Sequence, residues 1–185
     1  MFASGHDFFS NGDAAVATAH GDVWRVSGIG ENLRKITWER FATGLYQPLG
    51  LKIIDDKVHV LERDQITILH DLNKDNETDF YENLNNDTIS GGGRHAYSTC
   101  LETDSRGNFY FAKSSEGTPH SGTILKVPRD GSGVEVIATG FRYPNSLGIG
   151  PGDIITLGDQ QGEWVPETRL NQIQPGGFYG YMPSH

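Results

Sequence analysis

The chain has 185 residues, a formal net charge of −9 and a pI near 5.1, with 36% hydrophobic and 21% charged residues and 24 glycines. That length holds one ordinary domain with a real core, and the glycine excess favours short strands and turns over helices. An acidic surface repels phosphate backbones and argues against nucleic acid, no stretch approaches the ~18 apolar residues of a membrane span, and the single Cys100 excludes an intramolecular disulfide, a thiolate zinc site and a CxxCH haem attachment.

Residues 1–11 have neither a basic n-region nor a continuous apolar run, so no signal peptide is expected in this chain. Residues 14–19 and 22–26, separated by His20-Gly21, predict a strand pair. The best helix candidate, residues 31–40, follows a glycine and contains β-branched Ile36 and Thr37. Residues 41–53 then echo residues 137–149: Ala-Thr-Gly, a proline four residues after the glycine, and the Leu/Ile pattern recur in register 96 residues apart. That distance is two units of about 48, and the strand–turn–strand shape beginning at Leu51 returns at Leu101 and at Ile149. Outer strands are predicted at 65–70, 123–127 and 134–138, with Arg129-Asp130-Gly131 as a hairpin turn. Four short strands per unit of this length predict an all-β chain of β-propeller blades. The expected units are residues 13–40, 41–90, 91–137 and 138–185, roughly four blades of a single partial propeller completed by other sequence. A β-sandwich has similar strands but no reason for a long-period echo.

The loop after the strand at 65–70 is dense in acids. Asp71, Asn73, Asp75, Asp79 and Glu82 fall at positions 1, 3, 5, 9 and 12, with Glu77 among them, which is the oxygen spacing of a calcium loop. Asn76 stands where glycine normally makes the sharp turn, and the flanks read as strands instead of EF-hand helices. The alternative is a solvated acidic turn.

In a propeller, the segments entering each innermost strand lie at one face around the axis. By the repeat these are near Tyr46-Gln47, near Arg94-His95-Ala96-Tyr97 and near Arg142-Tyr143-Pro144-Asn145. His95 and Arg142 are 47 residues apart, close to one unit, and are expected to share a funnel. With Tyr97 and Tyr143 beside them they can act as base, anion clamp and stacking platform. Taken singly, His95 reads as a histidine bonded within a loop, after a Gly91–Gly93 run that allows either close backbone approach or a flexible loop, and Arg142 as a brace for a loop carbonyl. Cys100 reads as a buried inert thiol, and His59, His70 and Tyr110 as packing or surface residues of strands. His6, His20 and His120 have no assignable partner.

Ala138-Thr-Gly-Phe-Arg142-Tyr-Pro-Asn-Ser-Leu-Gly resembles the Gly-x-Arg-Asn-Pro-x-Gly-Leu motif of glucose/sorbosone dehydrogenases, six-bladed quinoproteins that oxidise sugars with pyrroloquinoline quinone (PQQ). Gly158-Asp-Gln-Gln-Gly, Arg169-Leu-Asn-Gln-Ile and Pro175-Gly-Gly-Phe-Tyr-Gly-Tyr continue that likeness. Upstream, residues 21–26, 47–52 and 63–66, the acidic loop and residues 83–86 resemble a related propeller group of exported bacterial proteins, often joined to helical repeats and a cytochrome c-type domain. The resemblance implies a sugar-like substrate, PQQ and calcium, a periplasmic or secreted location and further blades. It implies His95 as the base, Arg142 on the quinone carbonyls, and cofactor contacts from Arg142, Tyr143, Asn145 and Gln160. Tyr143 replaces the family asparagine, and Glu163 and Glu167 are candidates for a second calcium site. The competing reading is a propeller that kept the fold as a binding or scaffold module. A hydrolase lacks the necessary carboxylate pair or Ser/His/Asp set.

Overall fold

A computed structural model describes residues 2–88, 95–116, 119–162 and 164–182. It is built almost wholly of antiparallel strands: β1 (Ala3–Phe8), β2 (Ala14–Thr18), β3 (Val23–Ser27) and β4 (Thr37–Ala42) form one sheet in that order. β5 (Gly50–Ile54), β6 (Lys57–Leu61), β7 (Ile66–His70) and β8 (Phe80–Asn85) form a second, and β9 (Ser98–Thr103), β10 (Phe109–Lys113), β11 (Thr123–Val127) and β12 (Glu135–Thr139) a third. β13 (Pro144–Gly150), β14 (Ile154–Asp159) and β15 (Arg169–Gln172) make a three-stranded fourth. Sequential meanders of four short strands are propeller blades. Among the described residues, no helix is long and apolar enough to cross a membrane.

The chain divides into two compact units, Met1–Leu84 and Asn85–His185, each holding two successive blades. In the first unit β1 packs along β5, and the core gathers Ala15, Ala17, Val23, Phe41, Leu51, Val58, Val60 and Leu69. In the second β9 packs along β13 over Tyr110, Ala112, Ile124, Ile137, Phe141, Leu147, Ile155 and Leu157. The alternation of these apolar positions along β6 and β10 is weak because both faces of a middle strand are covered. Val58 to Leu61 and Phe109 to Lys113 are buried without a break.

One sequence expectation changes. The first blade has four strands, not a partial set starting near residue 13, because Ala3–Phe8 pairs with β2 although its Gly5, His6 and Asp7 give no apolar alternation. As its β-branched residues suggested, the weak helix candidate ends in a strand instead, β4 pairing with β3 from Thr37 to Ala42.

The Ala-Thr-Gly echo has a backbone cause. Gly44 and Gly140 both hold positive φ, 82° and 87°, in the turn from an outermost strand to the next blade's innermost one. Gly140 is also crowded: a Cβ there would lie 2.6 Å from the Tyr179 amide nitrogen and 2.7 Å from the Phe178 ring. The segment 176–181 runs back beside β12, with Tyr179 N and Tyr181 N donating to Thr139 O and Gly140 O, each at 2.8 Å. Tyr179 stacks on Phe141 at 4.9 Å. The two ends of the family-like stretch are thus packed together.

Candidate active site

The site lies wholly in the second unit and is built on a device that the blades repeat. The residue after a blade's second strand, or the last of that strand, caps the amide that leads into its innermost strand. Tyr97 N donates to Ser114 Oγ at 3.0 Å, and Arg142 N and Tyr143 N donate to Asp159 at 3.1 and 3.0 Å. In the first unit Glu62 plays the same part for Tyr46 N. Such capping takes the entering residues out of the sheet ladder while satisfying their N–H groups, so that their side chains project past the blade end.

Asp159 is 1% exposed. Burial pushes its carboxyl above the ordinary range, while the Arg142 and Tyr143 amides and the Arg169 guanidinium, 3.6 Å away, pull it back. β9 and β13 both carry a bulge near their entry, with Cys100 at φ 61° and Ser146 at φ 91°. Cys100 is therefore half-buried, where full burial was expected, and its sulfur accepts from Ser146 N at 3.2 Å and Leu147 N at 3.4 Å.

These bends open a cleft of about 700 Å³ lined by His95, Tyr97, Arg142, Tyr143, Asn145 and Gln160, among others. The expected pairing of His95 and Arg142 is present. His95 Nδ1 lies 3.2 Å from Glu116 Oε1, and its backbone N donates to Glu116 Oε2 at 3.1 Å. Tyr143 donates its phenol proton to the same Oε1 at 2.6 Å. This last bond is the first cause, with the His95 contacts, of a Glu116 carboxyl held down to about 2, and Glu116 in turn pushes the Tyr143 phenol up to about 12. The Arg142 guanidinium lies over the Tyr143 ring at 4.9 Å and donates Nη1 to Gln161 O at 2.5 Å. Its Nε is buried and has no hydrogen-bond partner among the described residues. Ser115 N completes the frame by donating to Arg142 O at 2.7 Å.

A second cleft of about 510 Å³ adjoins through Arg142 and Gln160 and is lined by Trp164, Glu167, Arg169 and Tyr181. Glu163, Gly91–Gly93 and Arg94 lie outside the described residues. Glu116 and Asp159 are the residues contacting the candidate site that sequence reasoning missed. Asp159 stands inside the Gly158-Asp-Gln-Gln stretch, and its repeat position at the end of a second strand was the available signal.

The acidic loop belongs to the first unit. Asp71 accepts from Lys74 N, Asp75 N and Asn76 N at 2.7, 3.2 and 3.0 Å, and Asp79 from Leu72 N and Asn73 N at 2.7 and 3.2 Å. Asn76 adopts φ 70°, the left-handed turn for which glycine is usual. Glu82 Oε2 meets His70 Nε2 at 2.7 Å, and Glu77 is exposed, as are Asn73, Asp75 and Asp79. Among the described residues, no three His, Cys, Asp or Glu side chains gather as a metal ion requires. His59 is buried with Nδ1 3.0 Å from Lys57 O, and Tyr110 is buried with its hydroxyl on Asp104 at 3.2 Å.

Comparison with solved structures decides the architecture. An oxidoreductase described as a glucose dehydrogenase from Thermus thermophilus superposes with a TM-score of 0.77 at 17% identity, covering 97% of this chain and 63% of that one. The calcium structure of a Trichoderma reesei carbohydrate-active enzyme of family AA12 gives 0.79 at 16% identity, covering 97% and 55%. The chain has the β-propeller fold of these structures. The PQQ-bound aldose sugar dehydrogenase of Streptomyces coelicolor matches this propeller at 0.72 and 17% identity over 99% of the chain and 63% of its own length. The chain therefore spans between about half and two thirds of the length of these structures. No family model matches its sequence, and no curated protein does.

Proposed function

We propose that the second-unit cleft is part of a quinoprotein dehydrogenase site that oxidises a sugar or a related alcohol or aldehyde. The observation that carries the reading is that His95 and Arg142, from successive blades, line one cleft while Glu116 holds the imidazole by Nδ1. PQQ, when bound, supplies the hydride acceptor. The cleft suits such a group through the unpartnered Arg142 Nε, the half-exposed aromatic faces of Tyr97 and Tyr143, and the polar ends of Asn145 and Gln160. Arg142 would stabilise negative charge on the carbonyl oxygens of the bound group, and His95 Nε2 would take the substrate hydroxyl proton. In the same reading the protein works in the periplasm or outside the cell, and further blades and a cytochrome c-type domain complete it. The solved neighbours named as glucose and aldose sugar dehydrogenases support the substrate class.

The test is dye reduction by the full-length protein with PQQ, calcium and a panel of sugars. Sugar-dependent reduction that requires PQQ is expected. No reduction, with an unchanged quinone absorbance, leaves the second reading, a binding module. One observation favours that module: the Tyr143 hydroxyl is spent on Glu116 and so is not free for a cofactor.

The proposal includes a structural calcium ion at the acidic loop. Asn73 Nδ2 stands between Asp75 Oδ2 and Asp79 Oδ1, at 3.0 and 3.4 Å, where a cation would otherwise relieve the carboxylates. Turning that amide over would present its oxygen between these two carboxylates. Calorimetric titration of the full-length protein is expected to show millimolar or tighter calcium binding, weakened at least about tenfold by Asp75→Ala. Equal heats in both proteins would assign the loop to hydrogen bonding alone.

A further inference from the structure

We propose that Tyr143 positions the His95 imidazole through Glu116 and so fixes which ring nitrogen carries the proton. This deepens the reading of His95 as a base and rests on it, but the arrangement is readable without quinone or sugar.

An ionised carboxylate only accepts hydrogen bonds. Its partner at His95 must therefore be an Nδ1–H, which leaves Nε2 bare in the neutral ring. Glu116 Oε1 takes that Nδ1–H at 3.2 Å and the Tyr143 O–H at 2.6 Å, so the shorter bond anchors the oxygen and the longer one depends on its place. The depressed Glu116 carboxyl, with Tyr143 as its first cause, supports an ionised acceptor at every working pH. The phenol is itself fixed. Its ring meets His95 edge-on at 5.6 Å and 72°, lies under the Arg142 guanidinium at 4.9 Å, and hangs from an amide that donates to buried Asp159. The line of support runs from Asp159 to Tyr143, to Glu116, to His95. The Tyr97 ring, on the same entering segment, also lies 6.2 Å from the imidazole. Glu116 is one-third exposed, and without the phenol one of its lone pairs turns to water and its side chain regains rotamer freedom. Tyr143 is thus a positioning residue, a part for which the phenylalanine analogue has the right shape and lacks the donor.

The experiment is nitrogen-15 NMR of the imidazoles in the full-length protein, with His95 assigned by the signal lost in His95→Gln. The wild type is expected to show the Nδ1–H tautomer. Tyr143→Phe, which keeps the ring packing, is expected to lower the Nδ1–H to Nε2–H ratio about threefold, and Glu116→Ala about tenfold. A ratio in Tyr143→Phe equal to wild type, or a wild type with Nε2 protonated, overturns the proposal. Failure of the dehydrogenase reading would show as absent dye reduction with these NMR populations intact, so the two ideas fail separately.

Discussion

Asp159→Ala is expected to destabilise the protein by about 3 kcal/mol, the cost of stranding two amides at about 1–3 kcal/mol each. Both amides, Arg142 N and Tyr143 N, end on this carboxylate, which is buried at the end of β14. The ion pair to Arg169 adds little, because that arginine is half exposed. Asp159→Asn is the informative control. Both N–H groups reach Oδ1, at 3.2 and 3.0 Å, so a single amide oxygen serves them. Burial also raises the Asp159 carboxyl. An acid whose folded pKa lies above its unfolded value destabilises the fold once ionised, and stability recovers as pH falls through the folded value. The neutral asparagine removes that cost, and a loss nearer about 1 kcal/mol is expected. Thermal unfolding reads both, with Tm falling by roughly 6–12 °C for alanine and by a few degrees for asparagine. An alanine variant within about 1 °C of wild type would mean that the cap does not hold the Arg142 segment.

His95→Gln is expected to lower PQQ-dependent dye reduction by a factor of about 10²–10⁴, the usual worth of a positioned general base. Glutamine can fill the space and bond to Glu116 but cannot take a proton at neutral pH. The imidazole side chain is 58% exposed, so the loss is chemical, and melting temperature is expected to stay within about 2 °C. A glutamine variant with wild-type turnover would assign proton removal to another group, and a variant that lost activity only through unfolding would betray itself in the melt.

The propeller was legible because its clearest echo marks a backbone necessity: the glycine of Ala-Thr-Gly takes a positive φ at each of these two blade-to-blade turns, at Gly44 and Gly140. Strand pairs such as β5–β6 and β9–β10 followed from their polar turns. β1 escaped notice because its Gly5, His6 and Asp7 leave no apolar alternation to read. His95 and Arg142 could be paired through the period alone. Glu116 could not: it follows β10 in an unremarkable Ser-Ser-Glu run, and its role exists only because the fold brings it to His95, 21 residues back, and to Tyr143, 27 residues on. The acidic loop shows the converse. Its spacing was visible, yet spacing does not reveal other partners, such as the His70 imidazole that meets Glu82.

The most direct measurement is a spectroscopic titration of the full-length protein with PQQ, paired with Arg142→Leu. The account predicts a saturable shift of the quinone absorbance with one equivalent, weakened at least about tenfold in the leucine variant, which lacks the charge-assisted donors of the guanidinium. Absence of any shift, or equal binding by both proteins, would contradict the assignment of this cleft to quinone chemistry.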